Sequence, residues 1–370
     1  MKKVNIILFI LIIIYLIKNF YQYEEKFKQE IIFLWEDNIN NTVNINNKYI
    51  QFSDFIYFDE KIPILMSPNY KKKNIKKIED FIKYKNYKKL SKETYLENIK
   101  KTKILNNCKF NNDGLIVSNN KKYVNSSCGS KYKFNNNIDI NNSLKINKGI
   151  YICGKWSNEY WHFIYEYMSS ILNIEDYKEY KIIVNKKSKP VLEWLNLLDI
   201  LPENIINNSY STNKLIIPRP QNCGNPSNEI LLKLRNILLT KVEIKKQNNL
   251  VLIKRTKNRF IKNNEELKKY LLNYCRLKKY NLIIHDDDNL PSIKNQLSLF
   301  SNAIIVIGPH GAGLSNIIVC KKNTKIIEYH MNETINLCYC DLTIRLGLEY
   351  IGLVAEKNKS NINKLKKFLK

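Results

Sequence analysis

The sequence predicts an α/β fold built on a parallel sheet, and three observations carry that expectation. From residue 149 onward, short apolar runs rich in Ile, Val and Leu alternate with segments of helical length, the spacing of βαβ units. One run, at 303–307, is nearly all apolar and β-branched, the pattern of a strand buried on both faces. It leads straight into a glycine-rich turn, Gly308-Pro-His-Gly-Ala-Gly-Leu-Ser-Asn316, whose far end reads as the opening of a helix from Leu314 to Val319. Such a turn gathers backbone N–H groups and the positive end of a helix dipole at one point, a ready place for phosphate.

The chain has 370 residues, enough for two domains or one large one, and its 44% hydrophobic content with 24 Tyr and 14 Phe marks it as globular. The formal charge of +27 raises a nucleic-acid reading. Against it, Lys, Asn and Ile are abundant everywhere, the lysines are spread along the chain, and no zinc-finger spacing, arginine cluster or RNP-like stretch accompanies them. No nucleic-acid partner is expected. The charge licenses only a basic surface that tolerates anionic ligands or lipid headgroups. The eight cysteines include no CxxC pair, which argues against a structural zinc site. Disulfides in an oxidising lumen, with Cys108–Cys128 as a local staple, and buried free thiols are both open readings.

Lys2 and Lys3 precede an apolar run from Ile6 to Ile17, with Tyr15, Phe20, Tyr21 and Tyr23 toward its far end and no small-residue cleavage site after it. Residues 1–23 therefore read as a short, uncleaved transmembrane signal anchor, with a cleaved signal peptide as the alternative. Positive charge before the segment makes the chain a single-pass type II membrane protein with its bulk in the secretory lumen, Golgi or ER. Residues 24–50 read as a stem. Sequons at Asn40, Asn125, Asn141, Asn207, Asn332 and Asn358 agree with a lumenal glycoprotein. Between 51 and 148, short apolar pieces such as Ile56-Tyr57-Phe58 lie among Lys/Asn stretches, with no repeat and no recognisable chemistry.

Then the pattern sharpens. A strand is expected at 149–153 and a helix at 160–174, where Phe163, Ile164, Tyr167, Met168, Ile171 and Leu172 fall at helical spacing. Further strands are expected at 181–184, 215–217, 250–254, 282–284 and 325–328, with helices at 190–199, 227–246, 264–275 and 291–300. The basic segment 357–370 carries apolar residues on one side and suits a closing helix.

Ligands of an open parallel sheet bind at the carboxyl ends of its strands. That rule selects Arg255 and Arg259 after one strand, the glycine turn with His310 after another, and Glu328 at the end of a third. Two arginines and a helix N-terminus suit a diphosphate, because guanidinium grips phosphate in a fork. A carboxylate at Glu328 suits ribose hydroxyls. Asp286-Asp-Asp288 invites a metal site for a nucleotide diphosphate; a solvated turn is the preferred reading, since the basic groups can neutralise a diphosphate unaided. On the earlier helix, His162 and Glu166 are four apart and share a face.

Several stretches occur in an order known from one family: Tyr160-Trp-His-Phe-Ile-Tyr-Glu166, Leu195-x-Leu-Leu-Asp-Ile200 before Pro202, Leu215-Ile-Ile-Pro218, Ile253-Lys-Arg255 with Arg259 and Asn263, Gln296, the glycine turn to Asn316, and Ile326-Ile-Glu328. Over about 150–356 the chain resembles the family 61 glycosyltransferases; Cys320-Lys-Lys-Asn-Thr324 departs from the usual Pro-Gly turn. The resemblance implies an α/β protein of two Rossmann-like domains facing a cleft, of GT-B type, with an acceptor-side domain at 51–214 and a nucleotide-sugar-binding domain at 215–356. It implies inverting, metal-independent transfer of a xylose, N-acetylglucosamine or arabinose class sugar to a glycan or glycoprotein hydroxyl. The donor, a UDP-sugar, is a substrate; no cofactor and no metal are expected. It would lie against Arg255, Arg259, His310, Gly311, Ala312, Gly313, Ser315, Asn316 and Glu328. His162 is the first choice of catalytic base and Glu166 the second, or its orienting partner. A non-catalytic glycan or nucleotide-sugar binder, and a basic membrane or nucleic-acid binder, are the competing readings; a dehydrogenase is disfavoured because no GxGxxG follows an early strand.

Overall fold

The computed structural model describes residues 31–33, 56–58, 102–119, 121–125, 144–208, 210–221, 226–331, 336 and 338–369. The expected anchor at 1–23 and all but three residues of the expected stem lie outside them. No helix among the described residues is long and apolar enough to cross a membrane.

In chain order the strands are β1 (Ile31–Phe33), β2 (Ile56–Phe58), β3 (Thr102–Phe110), β4 (Leu115–Ser118), β5 (Lys121–Val124) and β6 (Leu144–Tyr151). A helical stretch, α1, covers 160–173 as an α turn at Tyr160–His162, a π turn at Phe163–Tyr167 and a 3₁₀ end at Met168–Asn173. Next come β7 (Lys181–Ile183), α2 (Lys189–Leu197), β8 (Ile205–Ile206), β9 (Tyr210–Pro218) and α3 (Asn228–Lys241). The last part runs β10 (Asn249–Lys254), α4 (Asn264–Lys278), β11 (Asn281–Asp286), α5 (Ile293–Ser301), β12 (Ala303–Pro309), a 3₁₀ segment (Ala312–Val319), β13 (Lys325–Met331), α6 (Cys338–Arg345), β14 (Glu349–Ala355) and α7 (Ile362–Lys366).

These strands make two sheets. The later one has the order β11-β10-β12-β13-β14-β2 and is parallel throughout. Its central strands are buried on both sides, which is why they read as unbroken apolar runs. Leu250 and Leu252 face a layer built from Leu267, Leu271 and Cys275 of α4; Val251 and Ile253 face α5 and the 3₁₀ segment. The three buried residues of α4 are four apart, one stripe of a helix, and the helix stops at Lys279 in the left-handed conformation.

The earlier sheet, β1-β5-β4-β3-β9-β6-β7-β8, is mixed. Strands β9, β6, β7 and β8 are parallel, whereas β3, β4 and β5 form an antiparallel meander and β3 pairs antiparallel with β9. The molecule is thus a mixed α/β fold with parallel sheets, but the Rossmann-like expectation for the first half holds only on the β9-to-β8 side. Two early strands also cross the expected boundaries. β1, inside the expected stem, pairs with β5, and β2, inside the expected acceptor-side domain, pairs with β14 on the edge of the later sheet.

One apolar cluster joins the two halves. It runs from Ile150, Trp161 and Trp194 through Leu234 of α3 to Leu297, Leu314 and Ile317. Two smaller expectations fail. Cys108 is a free, buried thiol, pushed up to about 11 by burial, so the Cys108–Cys128 staple is not formed; Cys128 itself lies outside the described residues. Asn125 is buried and its Nδ2 donates to the Cys153 carbonyl at 2.8 Å, so a glycan has no room there in the folded chain.

Candidate active site

The later sheet's strand order fixes where a ligand goes. Along the chain β10 comes first, yet β11 lies on one side of it and β12 on the other. The connection after β10 carries α4 on one face; the connection after β12 carries the 3₁₀ segment on the opposite face. The carboxyl ends of β10 and β12 therefore border a crevice, the switch point at which doubly wound sheets bind ligands.

Arg255 follows β10 and Gly311 follows β12, and the two meet across that crevice. A Cβ on Gly311 would lie 1.5 Å from Arg255 Nη1, so a side chain there would displace the guanidinium from this seat. Gly308 and Gly313 also lie close against β10: a Cβ would come within 2.6 Å and 3.0 Å of Ile253, respectively. The glycines thus let the turn lie flat on β10 beneath the arginine. Arg255 Nε donates to the Asn258 carbonyl at 2.8 Å and stands 3.8 Å from Asp287. Burial, and next the nearby charge of Arg259, push its guanidinium below the ordinary value, but an arginine stays cationic at any physiological pH. Arg259 is exposed and holds a left-handed backbone.

Beside the turn, His310 Nδ1 lies 2.6 Å from Glu328 Oε1. Glu328 is 0% exposed, and its other oxygen accepts from the Tyr350 hydroxyl at 2.6 Å. His330 stacks on His310 with ring centroids 6.1 Å apart and holds the same hydroxyl at 2.8 Å. Burial alone would raise the Glu328 carboxyl, yet His330, His310 and Tyr350 outweigh it and hold the group below the usual carboxylate range. Instead of reaching toward ribose, Glu328 turns inward and fixes Nδ1 of His310, leaving the Nε2 edge for a ligand.

Ser315 and Asn316 are also fully buried, so neither faces a donor directly. Asn316 Nδ2 donates to Gln296 Oε1 at 3.1 Å, and Gln296 Oε1 is 2.9 Å from His285 Nε2. Nor does an α-helix begin at the turn. Gly313 and the β-branched run Ile317-Ile-Val319 disfavour one, and 312–319 winds as a 3₁₀ segment whose final carbonyls, of Ile318 and Cys320, accept from Arg235 of α3. A helix dipole at the turn is correspondingly weaker than the sequence suggests.

Helix α1 abuts this segment. Tyr160 donates to Asn316 Oδ1 at 3.3 Å, Tyr165 donates to the Ser315 carbonyl at 2.5 Å, and Trp161 packs edge-on to Tyr339, which also touches His310. On α1, His162 Nδ1 lies 2.8 Å from Glu166 Oε1. His162 is 24% exposed and Glu166 is 0% exposed, so the imidazole is the more accessible of the two. The π turn at Phe163–Tyr167 lies between the pair, a distortion often found at functional sites.

The acidic run has other partners. Asp286 pairs with Lys254 at 2.7 Å and accepts from the backbone of Asp288, while Asp288 accepts from Thr256 at 2.8 Å. Among the described residues, His310, Glu328 and His330 form the one trio whose ligand atoms converge, within 4.8 Å. Both Glu328 oxygens are already hydrogen-bonded, and the buried His330 Nδ1 has no partner, unlike the outer nitrogen of a metal-bound histidine.

Residues 160–327 match the family model described as Glycosyltransferase 61. The chain carries a family 61 glycosyltransferase domain. That match opens at α1, with the His162–Glu166 pair, and closes in β13, one residue before Glu328. No curated protein matches the chain. Among solved structures it is similar to two mutant forms of a flavo di-iron protein from Thermotoga maritima, at 11% and 13% identity with TM-scores of 0.28 and 0.26. It covers 47% and 49% of those chains, about half their length, and they cover 48% and 49% of this one. A likeness so slight carries no argument.

The glycosyltransferase domain thus gathers Arg255, His310, Gly311 and Gly313 at one crevice, sets His162 and Glu166 on the adjoining helix, and buries Ser315, Asn316 and Glu328 behind them. Sequence reasoning missed His330, Tyr339 and Tyr350. Tyr339 and Tyr350 lie on α6 and β14, elements whose patterns were not read as such, although His330 two residues after Glu328 was a usable signal on a strand where alternate residues share a face.

Proposed function

We propose that the chain transfers a sugar, with inversion and without a required metal, from a UDP-sugar to a hydroxyl of a glycan or glycoprotein. The observation that carries the reading is Arg255 seated on Gly311 at the switch point, with the His162–Glu166 pair on the helix that touches the same turn. Arg255, Arg259 and the Nε2 edge of His310 take the diphosphate; Gly311, Ala312 and Gly313 let it approach the backbone. Glu166 keeps the His162 proton on Nδ1, so Nε2 can accept the proton of the acceptor hydroxyl as its oxygen attacks the anomeric carbon. The bond from that carbon to the diphosphate breaks on the opposite side, and the arginines stabilise the negative charge left on it. In this reading the two sheets are the two domains of a GT-B arrangement, the donor lies on the later one, and the sugar is of the xylose, N-acetylglucosamine or arabinose class. An N-terminal anchor would hold the enzyme as a type II protein in the Golgi or ER lumen.

The test is a panel of UDP-sugars and glycan acceptors with the full chain, with and without EDTA, following UDP release. One donor should turn over at the same rate in both conditions, and Arg255→Ala should abolish it. Turnover that vanishes with EDTA would move the chemistry to a metal held by the His310–Glu328–His330 trio or by Asp286–Asp288.

A further inference from the structure

The turn between β6 and α1 presents a large ring to solvent against the preferences of its own backbone. Trp156 is 37% exposed, whereas Trp161 and Trp194 are buried. Its φ of 35° lies in the left-handed region, where a bulky residue is an outlier and where strain tends to mark functional positions. The turn cannot relax easily. Ser157 Oγ accepts from the Gly154 backbone at 3.1 Å and donates to its carbonyl at 2.6 Å, and the Glu159 N–H donates to the Trp156 carbonyl at 2.9 Å. Gly154 is itself clamped: a Cβ there would lie 2.5 Å from the Tyr167 hydroxyl and 2.7 Å from the Asn125 carbonyl.

The position of the indole suggests what it is for. It stacks on His162, ring centroids 5.9 Å apart and planes 26° apart, while Glu166 holds the Nδ1 edge of that imidazole. Lys155 Nζ stands 5.2 Å from the indole centroid. A pyranose has an apolar face of C–H groups whose slightly positive hydrogens suit the negative face of an aromatic ring, and a rim of hydroxyls that suits an ammonium donor. Indole, lysine and a histidine held in one tautomer are the parts needed to seat a sugar and take a proton from it.

We propose that Trp156 is the acceptor platform: a pyranose of the acceptor stacks on the indole, is steadied by Lys155, and presents a hydroxyl to His162. This rests on the reading of His162 as the base and deepens it by giving the acceptor a sugar ring at the point of attack rather than a bare peptide hydroxyl.

The experiment titrates the full chain, saturated with UDP, with methyl glycosides of xylose, mannose, fucose, galactose and N-acetylglucosamine, read by ligand-detected NMR. UDP-induced thermal shift is measured in parallel. At least one glycoside should bind, with saturation transfer strongest at the protons of one ring face. Trp156→Ala should weaken that binding about tenfold or more, roughly 1.4 kcal/mol, and Trp156→Tyr should keep most of it. The UDP shift should be the same in all three proteins. Absence of binding by every glycoside, or equal binding by Trp156→Ala, would overturn the proposal. A UDP shift lost in Trp156→Ala would overturn it too, since the ring would then be a support of the donor site. Glycoside binding that depends on Trp156 without any UDP shift in the parent chain would keep the platform and overturn the donor-site reading instead.

Discussion

Two histidine–carboxylate pairs are built alike at the residue scale and differ in what surrounds them. His162 and His310 each turn Nδ1 to a carboxylate with 0% exposure, at 2.8 Å and 2.6 Å. Glu328 has a second histidine and a tyrosine hydroxyl around it, an arrangement that holds the carboxylate in place behind His310. His162 has an indole stacked on it and is 24% exposed, which suits proton transfer. The difference leads to a prediction. Glu166→Gln keeps the volume but offers an amide where the carboxylate accepted a proton, so the imidazole no longer holds the required tautomer. Steady-state kinetics should show kcat lower by about 10²–10⁴-fold, the worth of a positioned general base, with the donor KM little changed. An unchanged kcat would move the base elsewhere.

At the scale of elements, the site depends on α1 lying against the 3₁₀ segment. Tyr165 makes that joint, its hydroxyl donating to the buried Ser315 carbonyl at 2.5 Å. Tyr165→Phe should cost about 1–3 kcal/mol in denaturant unfolding, because the carbonyl loses its partner in a buried setting. It should also lower kcat while leaving UDP affinity close to the parent value, since the arginine side of the crevice is untouched; a loss confined to UDP affinity would contradict this account of the joint. The elements were unequally legible. Strands β10 and β12 were plain because a strand buried on both faces needs an unbroken apolar run, as at 250–253 and 303–307. The meander β3–β5 was not, because one face of β3 carries exposed Lys and Asn and only residues such as Cys108 and Phe110 point inward. The π turn in α1 leaves no trace in apolar spacing, and β2 is too short to announce a partner some 290 residues away (Ile56 with Tyr350).

For the whole molecule, burial of polar groups near the site sets the response to acid. Burial is the main cause that pushes His285 and His330 below the ordinary imidazole value of 6.5, so both are neutral when folded. The unfolded chain takes up those protons as pH falls below about 6.5, and the folded one does not, so stability declines from there down to the folded values. Glu328, also held low, adds a loss of the same sign at lower pH, as the pH falls through its folded value. Calorimetry should show the melting temperature falling between pH 7 and pH 5, by about 1 °C for each kcal/mol lost in a chain of this length; a flat profile would mean that these histidines are accessible to protons in the folded chain. The fold class and the crevice were readable because strand ends collect ligand-binding residues in any parallel sheet. The mixed character of the earlier sheet was not, since antiparallel pairing is decided by partners remote in sequence. The account depends most on Arg255 lying over a bare glycine at the switch point. Its direct test is the thermal shift that UDP produces in the full chain and in Gly311→Ala, where an added methyl group would collide with the guanidinium. The prediction is a clear shift in the parent chain and none in the variant at the same UDP concentration; an equal shift in both would contradict it.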